Sequence, residues 1–106
     1  MREQYVYILK LIPELLNEEN WTEKENGIVA EHFEALQELK ADGKLILAGR
    51  TLNMDETTFG LAVFEADSEQ QAKEIMESDP AVKKGIMTAT LFPYRVALFS
   101  EANISK

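Results

Sequence analysis

The 106-residue sequence predicts an α+β fold with elements in the order βαββαβ, the ferredoxin-like arrangement with an antiparallel four-stranded sheet. Three observations predict it. Two segments carry apolar residues at helical spacing, four are rich in β-branched and aromatic residues, and short polar turns join them. The length fits a single domain, which we place at residues 1–100 with a C-terminal tail at residues 101–106.

The first strand is predicted at residues 4–12, where Pro13 follows. The next helix begins after Thr22, which has Glu25 in capping-box spacing; Asn20 with Glu23 is the alternative start. Gly43 ends this helix, since glycine adopts the left-handed terminal conformation at little cost. Its apolar stripe comprises Val29, His32, Phe33, Leu36 and Leu39.

The other three strands are predicted at residues 44–51, 59–66 and 86–98. A short polar segment joins the first two, which favours an antiparallel pair. The second helix begins at Ser68, has Gln71 in capping position, and ends at the Asp79–Pro80 dipeptide. Because Pro93 lacks a backbone N–H, the last strand is expected either at an edge of the sheet or with a bulge at Pro93.

Both faces of the first strand are apolar, since Tyr5 and Tyr7 alternate with Val6 and Ile8. The segment at 59–66 shows the same pattern, and both helices of this arrangement lie on one face. The second face would then leave a large apolar patch in contact with water. We therefore expect a homodimer that packs sheet on sheet, with a higher oligomer left open.

Charge and composition exclude several classes of function. The formal net charge is −8, which disfavours binding to nucleic acid and to anionic membranes. No apolar run reaches the roughly 20 residues of a membrane-spanning helix, and a cytoplasmic location is expected. Segments 18–42 and 65–79 carry net charges of −6 and −5, so the remainder sums to +3. The charge does not exclude an anionic small molecule beside the strands.

Two residues could form a catalytic pair. His32 is the only histidine in the sequence. It lies in the apolar stripe of the helix, although the glutamate-rich, solvent-facing side of the same helix could have carried it. It is either a core histidine bonded to a backbone carbonyl or a general acid/base in a pocket between helix and sheet. Asp79 before Pro80 fits an ordinary helix cap. If its loop lies near the first helix, its carboxylate could also orient His32.

Three further residues are candidates for substrate binding. Arg50 and Thr51 follow Gly49 at the end of a predicted strand, where an arginine could hold an anionic oxygen or lie solvated at an edge. Tyr7 belongs to the core or dimer interface, or else lines a pocket. One histidine and no cysteine provide no zinc site, and no calcium-loop, phosphate-loop or serine-triad pattern occurs. We predict neither metal nor cofactor.

The stretch from His32 to Gly49 resembles the H-x-x-x-L-x-x-L-x-x-x-G-x-L-x-x-A-G signature of the YciI-like, or YCII-related, family. The template continues with Gly60, Phe64, the segment 66–68, Ala72, Asp79–Pro80 and Gly85. The resemblance implies a protomer that pairs into a dimeric α/β barrel, with His32 and Asp79 facing each other in the active site. A proline commonly stands in the family where this chain has Arg50.

A dehydrochlorinase acting on a chlorinated hydroxyhydroquinone belongs to the same group. The resemblance therefore implies cofactor-free general acid/base chemistry, an elimination of the lyase type, on a small compound such as an aromatic one. Two alternatives remain. One is a cofactor-independent monooxygenase, which shares the dimeric barrel, and the other is a non-catalytic module that binds a small ligand.

Overall fold

A computed structural model describes residues 2–103 and has the predicted βαββαβ order, with one additional short helix. Met1 of the predicted domain and residues 104–106 of the predicted tail lie outside the described residues. Single-turn 3₁₀ segments occur at Pro13–Leu16, Glu18–Asn20 and Glu101–Asn103. The strands and α-helices are β1 (Glu3–Leu11), α1 (Glu23–Ala41), β2 (Leu45–Arg50), β3 (Gly60–Ala66), α2 (Glu69–Ser78), α3 (Pro80–Lys83) and β4 (Met87–Tyr94).

The four strands form one antiparallel sheet in the order β2-β3-β1-β4, which confirms the ferredoxin-like prediction. β1 and β3 are central, and β4 is an edge strand as Pro93 predicted. Strand β4 is shorter than the predicted 86–98. Its last pair with β1 joins Tyr94 to Gln4, and β1 begins at Glu3. By this register only Glu3 of β1 is left for the residues beyond Tyr94, and the Val96 N–H donates to the Gln4 side chain instead.

The main core lies between the sheet and the helices. Tyr5, Tyr7 and Leu9 project from β1 toward the helical side and pack with Phe64 of β3 and Leu36 of α1. Across the sheet, Val6 pairs with Val63 and Phe92, so these side chains share the opposite face. Phe92 and Tyr94 are about half exposed there. One face of the sheet is thus covered by helices, and the other presents apolar side chains to solvent.

The helix ends follow local sequence signals. Thr22 caps α1 in a capping box with Glu25, so Thr22 and not Asn20 begins this helix. At the other end Gly43 has φ +76°, and the N–H groups of Gly43 and Lys44 donate to the carbonyls of Lys40 and Leu39. These two bonds are the Schellman pattern. The Ser68 hydroxyl accepts from the Gln71 N–H at the start of α2, as predicted.

None of the helices in the described part of the chain is long and apolar enough to cross a membrane.

Gly27 lies inside α1 and Gly43 lies just beyond its end. Substitution by alanine should change the free energy of unfolding in opposite directions at the two positions. Gly27 has no heavy atom within 4 Å of the position that an added Cβ would occupy, whereas Gly43 needs a positive φ. Gly27→Ala is expected to raise the free energy of unfolding by about 0.5–1 kcal/mol. Gly43→Ala should lower it by about 1–2 kcal/mol. Urea denaturation of both variants measures the two effects, and a change of the same sign in both would contradict the helix boundaries.

Candidate active site

His32 lies in the middle of α1 on the side that faces the sheet, and its side chain is 14% exposed. Its Nδ1 is 2.7 Å from Oδ1 and 2.8 Å from Oδ2 of Asp79. The two residues are 47 positions apart in sequence, so the fold brings them together. The alternative interpretation, a histidine bonded to a backbone carbonyl, does not describe the structure: its Nδ1 partner is a carboxylate.

Asp79 lies at the junction of α2 and α3. Its Oδ1 accepts from the Ala81 N–H at 2.9 Å and so caps α3, with Pro80 at the first helical position. This is the ordinary capping geometry that the sequence allowed. The same carboxylate contacts His32. The Asp79 carboxylate therefore caps α3 and contacts His32 at the same time, because its two oxygens together accept from several donors.

Tyr7 completes the cluster from the central strand β1. The Tyr7 hydroxyl donates to Oδ2 of Asp79 at 2.8 Å, and Tyr7 as a whole is 1% exposed. Burial, and then the charge of Asp79, raise the pKa of the Tyr7 phenol, so it remains a donor. The sequence suggested Tyr7 as a substrate-binding residue, but the structure directs its hydroxyl to the carboxylate. Strand alternation shows which face a side chain occupies and not which distant residue it reaches.

The Asp79 carboxylate accepts three hydrogen bonds: from the imidazole, the phenol and a backbone N–H. When this carboxylate is ionised it can only accept, and Nδ1 of His32 then carries the proton of the contact. In neutral imidazole the lone pair then lies on Nε2. No hydrogen bond among residues 2–103 involves Nε2. The arrangement leaves a proton acceptor on the free side of the ring.

His32 lines a pocket of about 580 Å³ between α1 and the β1–β3 part of the sheet. The walls are mainly apolar, and the ionisable side chains are those of His32, Arg50 and Glu18. A cavity of this size suits a small molecule that is enclosed by apolar groups and oriented by few polar ones. The apolar lining includes Leu9, Trp21, Val29, Phe33, Leu36, Met54, Phe59 and Met87.

Arg50 lines this pocket at the end of β2, whereas Thr51 does not. Arg50 pairs with Gly60 of β3, where a Cβ would come within 3.7 Å of the Arg50 Cβ. The guanidinium forms no ion pair with any residue of the described chain. The Thr51 hydroxyl instead bonds Thr58 and the Phe59 backbone, which closes the base of the β2–β3 loop.

Sequence reasoning did not identify the pocket walls. Trp21 and Met54, which no sequence pattern singled out, both line the cavity, and Glu18 contributes a negative charge. Trp21 and Glu18 belong to the turns after β1, and Met54 to the β2–β3 loop. Loop conformations carry no periodic signal that would place these side chains. Within residues 2–103 no cluster of three histidine, cysteine or acidic side chains could hold a metal ion.

Comparisons with known proteins agree with this architecture. The solved structure of 5-chloro-2-hydroxyhydroquinone dehydrochlorinase (TftG) from Burkholderia phenoliruptrix AC1100, in complex with 2,5-dihydroxybenzoquinone, superposes with a TM-score of 0.66. The match covers 87% of this chain and 93% of that one at 22% identity, and so supports the shared fold.

Sequence comparison defines the family. The uncharacterized protein YjpA of Bacillus subtilis strain 168 is 35% identical over 68 residues, which are 64% of this chain and 76% of the relative. The model of the YCII-related domain matches residues 4–93, which contain nearly every strand pair and the His32–Asp79 contact. The chain belongs to the YCII-related domain family.

Proposed function

We propose that this protein is a cofactor-free enzyme that removes a proton from a small aromatic molecule through His32. The observation that carries the proposal is the contact of Nδ1 with a buried carboxylate, which leaves Nε2 without a protein partner in the described chain. His32 also lines the 580 Å³ pocket. A histidine held in one tautomer beside a substrate pocket is the arrangement that general acid/base catalysis requires.

In this mechanism Nε2 takes a proton from an acidic O–H or C–H bond of the substrate. Asp79 positions the ring and stabilises the imidazolium that forms, as a buried carboxylate does in other histidine-based sites. Where the leaving group is on the aromatic ring, Nε2 first returns this proton to the ring carbon that bears the leaving group, which gives the keto form. A second hydroxyl then gives its proton to Nε2, its electron pair expels the leaving group as an anion through the conjugated ring, and Nε2 releases the proton to solvent. The net change is loss of HX. No electron is exchanged with a cofactor, so the chain's own residues supply the whole step.

The substrate class follows from the pocket walls. Trp21, Phe33 and Phe59 offer aromatic surface, and Arg50 offers a cation that has no ion-pair partner in the described chain. These groups fit a planar ring that carries a hydroxyl or carboxyl group, whose negative charge the guanidinium would hold. TftG is named for a chlorinated hydroxyhydroquinone and its structure holds a dihydroxybenzoquinone, which are molecules of this kind. The proposed reaction here is a dehydrochlorinase-like elimination.

We also propose that two copies pair through the open face of the sheet to form a dimeric α/β barrel. Val6 and Val63 at the centre of this face are buried even in the single chain, at 5% and 4% exposure, whereas Phe92, Tyr94 and Leu47 are 39–50% exposed. Large apolar side chains exposed on one sheet face favour an interaction surface.

Asp79→Asn should test whether the carboxylate is needed to orient the His32 imidazole, since the amide keeps nearly the same size and shape. An amide in place of the carboxylate can donate to Nδ1, which would move the imidazole proton to Nε2 and remove the proton acceptor. With any turned-over compound found by a thermal-shift screen of phenols and carboxylates, or with chloride release from 5-chloro-2-hydroxyhydroquinone, we expect kcat to fall about 10²–10⁴-fold. His32→Ala should lower it within the same range.

The matched control is Asp67→Asn, the same chemical change at an exposed position. It should leave kcat unchanged. Full activity of His32→Ala would overturn the proposal, and ligand binding without turnover in the wild type would favour the non-catalytic alternative. A product that contains an oxygen atom from dioxygen would instead identify a monooxygenase.

Arg50→Gln tests the substrate class. The Kd for 4-hydroxybenzoate should rise about 10- to 100-fold, the range for loss of a charge-assisted hydrogen bond, while the Kd for neutral 4-hydroxybenzamide should change little. Titration calorimetry of both ligands measures the difference. Arg95→Gln lowers the net charge equally from an exposed position outside the pocket lining, and should leave both values unchanged. Equal effects of the two variants would show that only the overall charge matters.

Phe92→Glu tests the dimer. Its charge would be desolvated in a sheet-on-sheet interface but solvated in a monomer, so it should convert a species of twice 12.0 kDa to the monomer. Sedimentation equilibrium measures the mass. Leu52→Glu, at an 83% exposed site in the β2–β3 loop, is the control and should stay dimeric. A monomeric wild type would refute the pairing.

A further inference from the structure

Tyr7 is held rigidly by the central strand. It lies across from Ala62 of β3 and Leu91 of β4, and its ring packs edge-on against Phe64 with centroids 5.6 Å apart. The ring is therefore enclosed by the core on both sides, and its hydroxyl is its one polar group. That hydroxyl reaches Oδ2 of Asp79.

The orientation of the Asp79 carboxylate depends on one donor at each oxygen. The Ala81 N–H holds Oδ1 at 2.9 Å, and the Tyr7 hydroxyl holds Oδ2 at 2.8 Å. With both in place, the two oxygens lie nearly equally far from Nδ1 of His32, at 2.7 and 2.8 Å. The last torsion of an aspartate is broad and soft. With the phenol removed, only the Ala81 N–H and the imidazole itself would hold that torsion, so the imidazole would have a less firmly fixed partner.

A second cavity explains why this donor must be a buried side chain. A groove of about 330 Å³ lies between α1 and α2, and both Tyr7 and Asp79 line it, whereas neither lines the substrate pocket. Without the phenol, water from this groove would reach Oδ2. Water is a mobile donor, whereas the Tyr7 hydroxyl is fixed by the sheet.

We infer that Tyr7 is a positioning residue for the His32 site, which acts through Asp79 and does not touch the substrate. The inference rests on the proposed function as far as turnover is concerned. Its structural content, that the phenol fixes the carboxylate and so the imidazole, stands without any substrate.

The first test compares Tyr7→Phe with Tyr5→Phe by NMR of the imidazole. The chain has one histidine, so its ring signals are unambiguous. Tyr5 is the matched control: it projects to the same side of β1, is 3% exposed and packs on Phe64, but its hydroxyl bonds Glu3. Tyr7→Phe should shift and broaden the Nδ1–H signal of His32, while Tyr5→Phe should leave it as in the wild type. Circular dichroism confirms that both variants fold.

The second test is a double-mutant cycle with Asp79→Asn. Tyr7→Phe alone should lower kcat about tenfold, the equivalent of one lost hydrogen bond, with KM unchanged because Tyr7 does not line the substrate pocket. In the Asp79→Asn background it should lower kcat no further, since the residue through which Tyr7 acts is gone. A side chain that only packs would give additive effects.

An unchanged imidazole spectrum in Tyr7→Phe would overturn the inference, because it would mean that water replaces the hydroxyl fully or that Asp79 needs no such donor. A purely additive cycle would overturn it as well. Failure of the proposed function looks different: His32→Ala would keep full activity, while the Tyr7→Phe spectrum would still differ from that of Tyr5→Phe.

Discussion

The buried carboxylate of Asp79 is the constraint around which the rest of the site is arranged. Its side chain is 2% exposed, and an unpaired charge at that depth would cost several kcal/mol at least. The three donors that satisfy it come from β1, α1 and α3. A central strand, a long helix and the turn after α2 must therefore meet at one point. The interaction that makes the charge tolerable also places an imidazole against the sheet.

Asp79 caps a helix and bonds distant side chains at the same time, and the two roles use different lone pairs of its carboxylate. An aspartate before proline starts a helical turn by accepting a backbone N–H, and that needs only one lone pair of Oδ1. The remaining lone pairs are free for side chains that arrive from elsewhere in the chain. The cap holds the Asp79 side chain against the start of α3. The tertiary partners, Tyr7 and His32, then bind the lone pairs that the cap leaves free. A residue that fits an ordinary capping role can therefore still hold a distant imidazole.

Much of the fold could be predicted from the sequence, because helices and strands follow from apolar periodicity and from capping residues. The end of β4 and several contacts of the site depend instead on residues far away in the sequence. The helix ends at Thr22 and Gly43 follow from single residues whose backbone chemistry allows few alternatives. Strand β4 stops at Tyr94 because β1 has begun, and nothing within residues 86–98 indicates where β1 begins.

His32 and Asp79 could be paired as candidates from position and resemblance. The Tyr7 hydroxyl could not be assigned, since its partner is 72 residues away and alternation along β1 identifies only a face. The pocket wall at Trp21 depends on the hydrogen bond from its Nε1 to the Leu15 carbonyl, which no sequence spacing indicates.

The distribution of charge determines what the pocket can select. Segments 18–42 and 65–79, which contain α1 and α2, carry −6 and −5 of charge against +3 for the rest of the chain, and Glu18 of the first segment lines the pocket. An anionic ligand is repelled by that side and attracted by Arg50, which lies on β2. Because the walls between are apolar, the low local dielectric strengthens both effects over their values in water. Under the proposed function, a ring that binds with its acidic group toward Arg50 would have its orientation restricted before His32 acts. Substrate orientation would then come from the edge strand β2, whereas imidazole orientation comes from the buried centre of the fold.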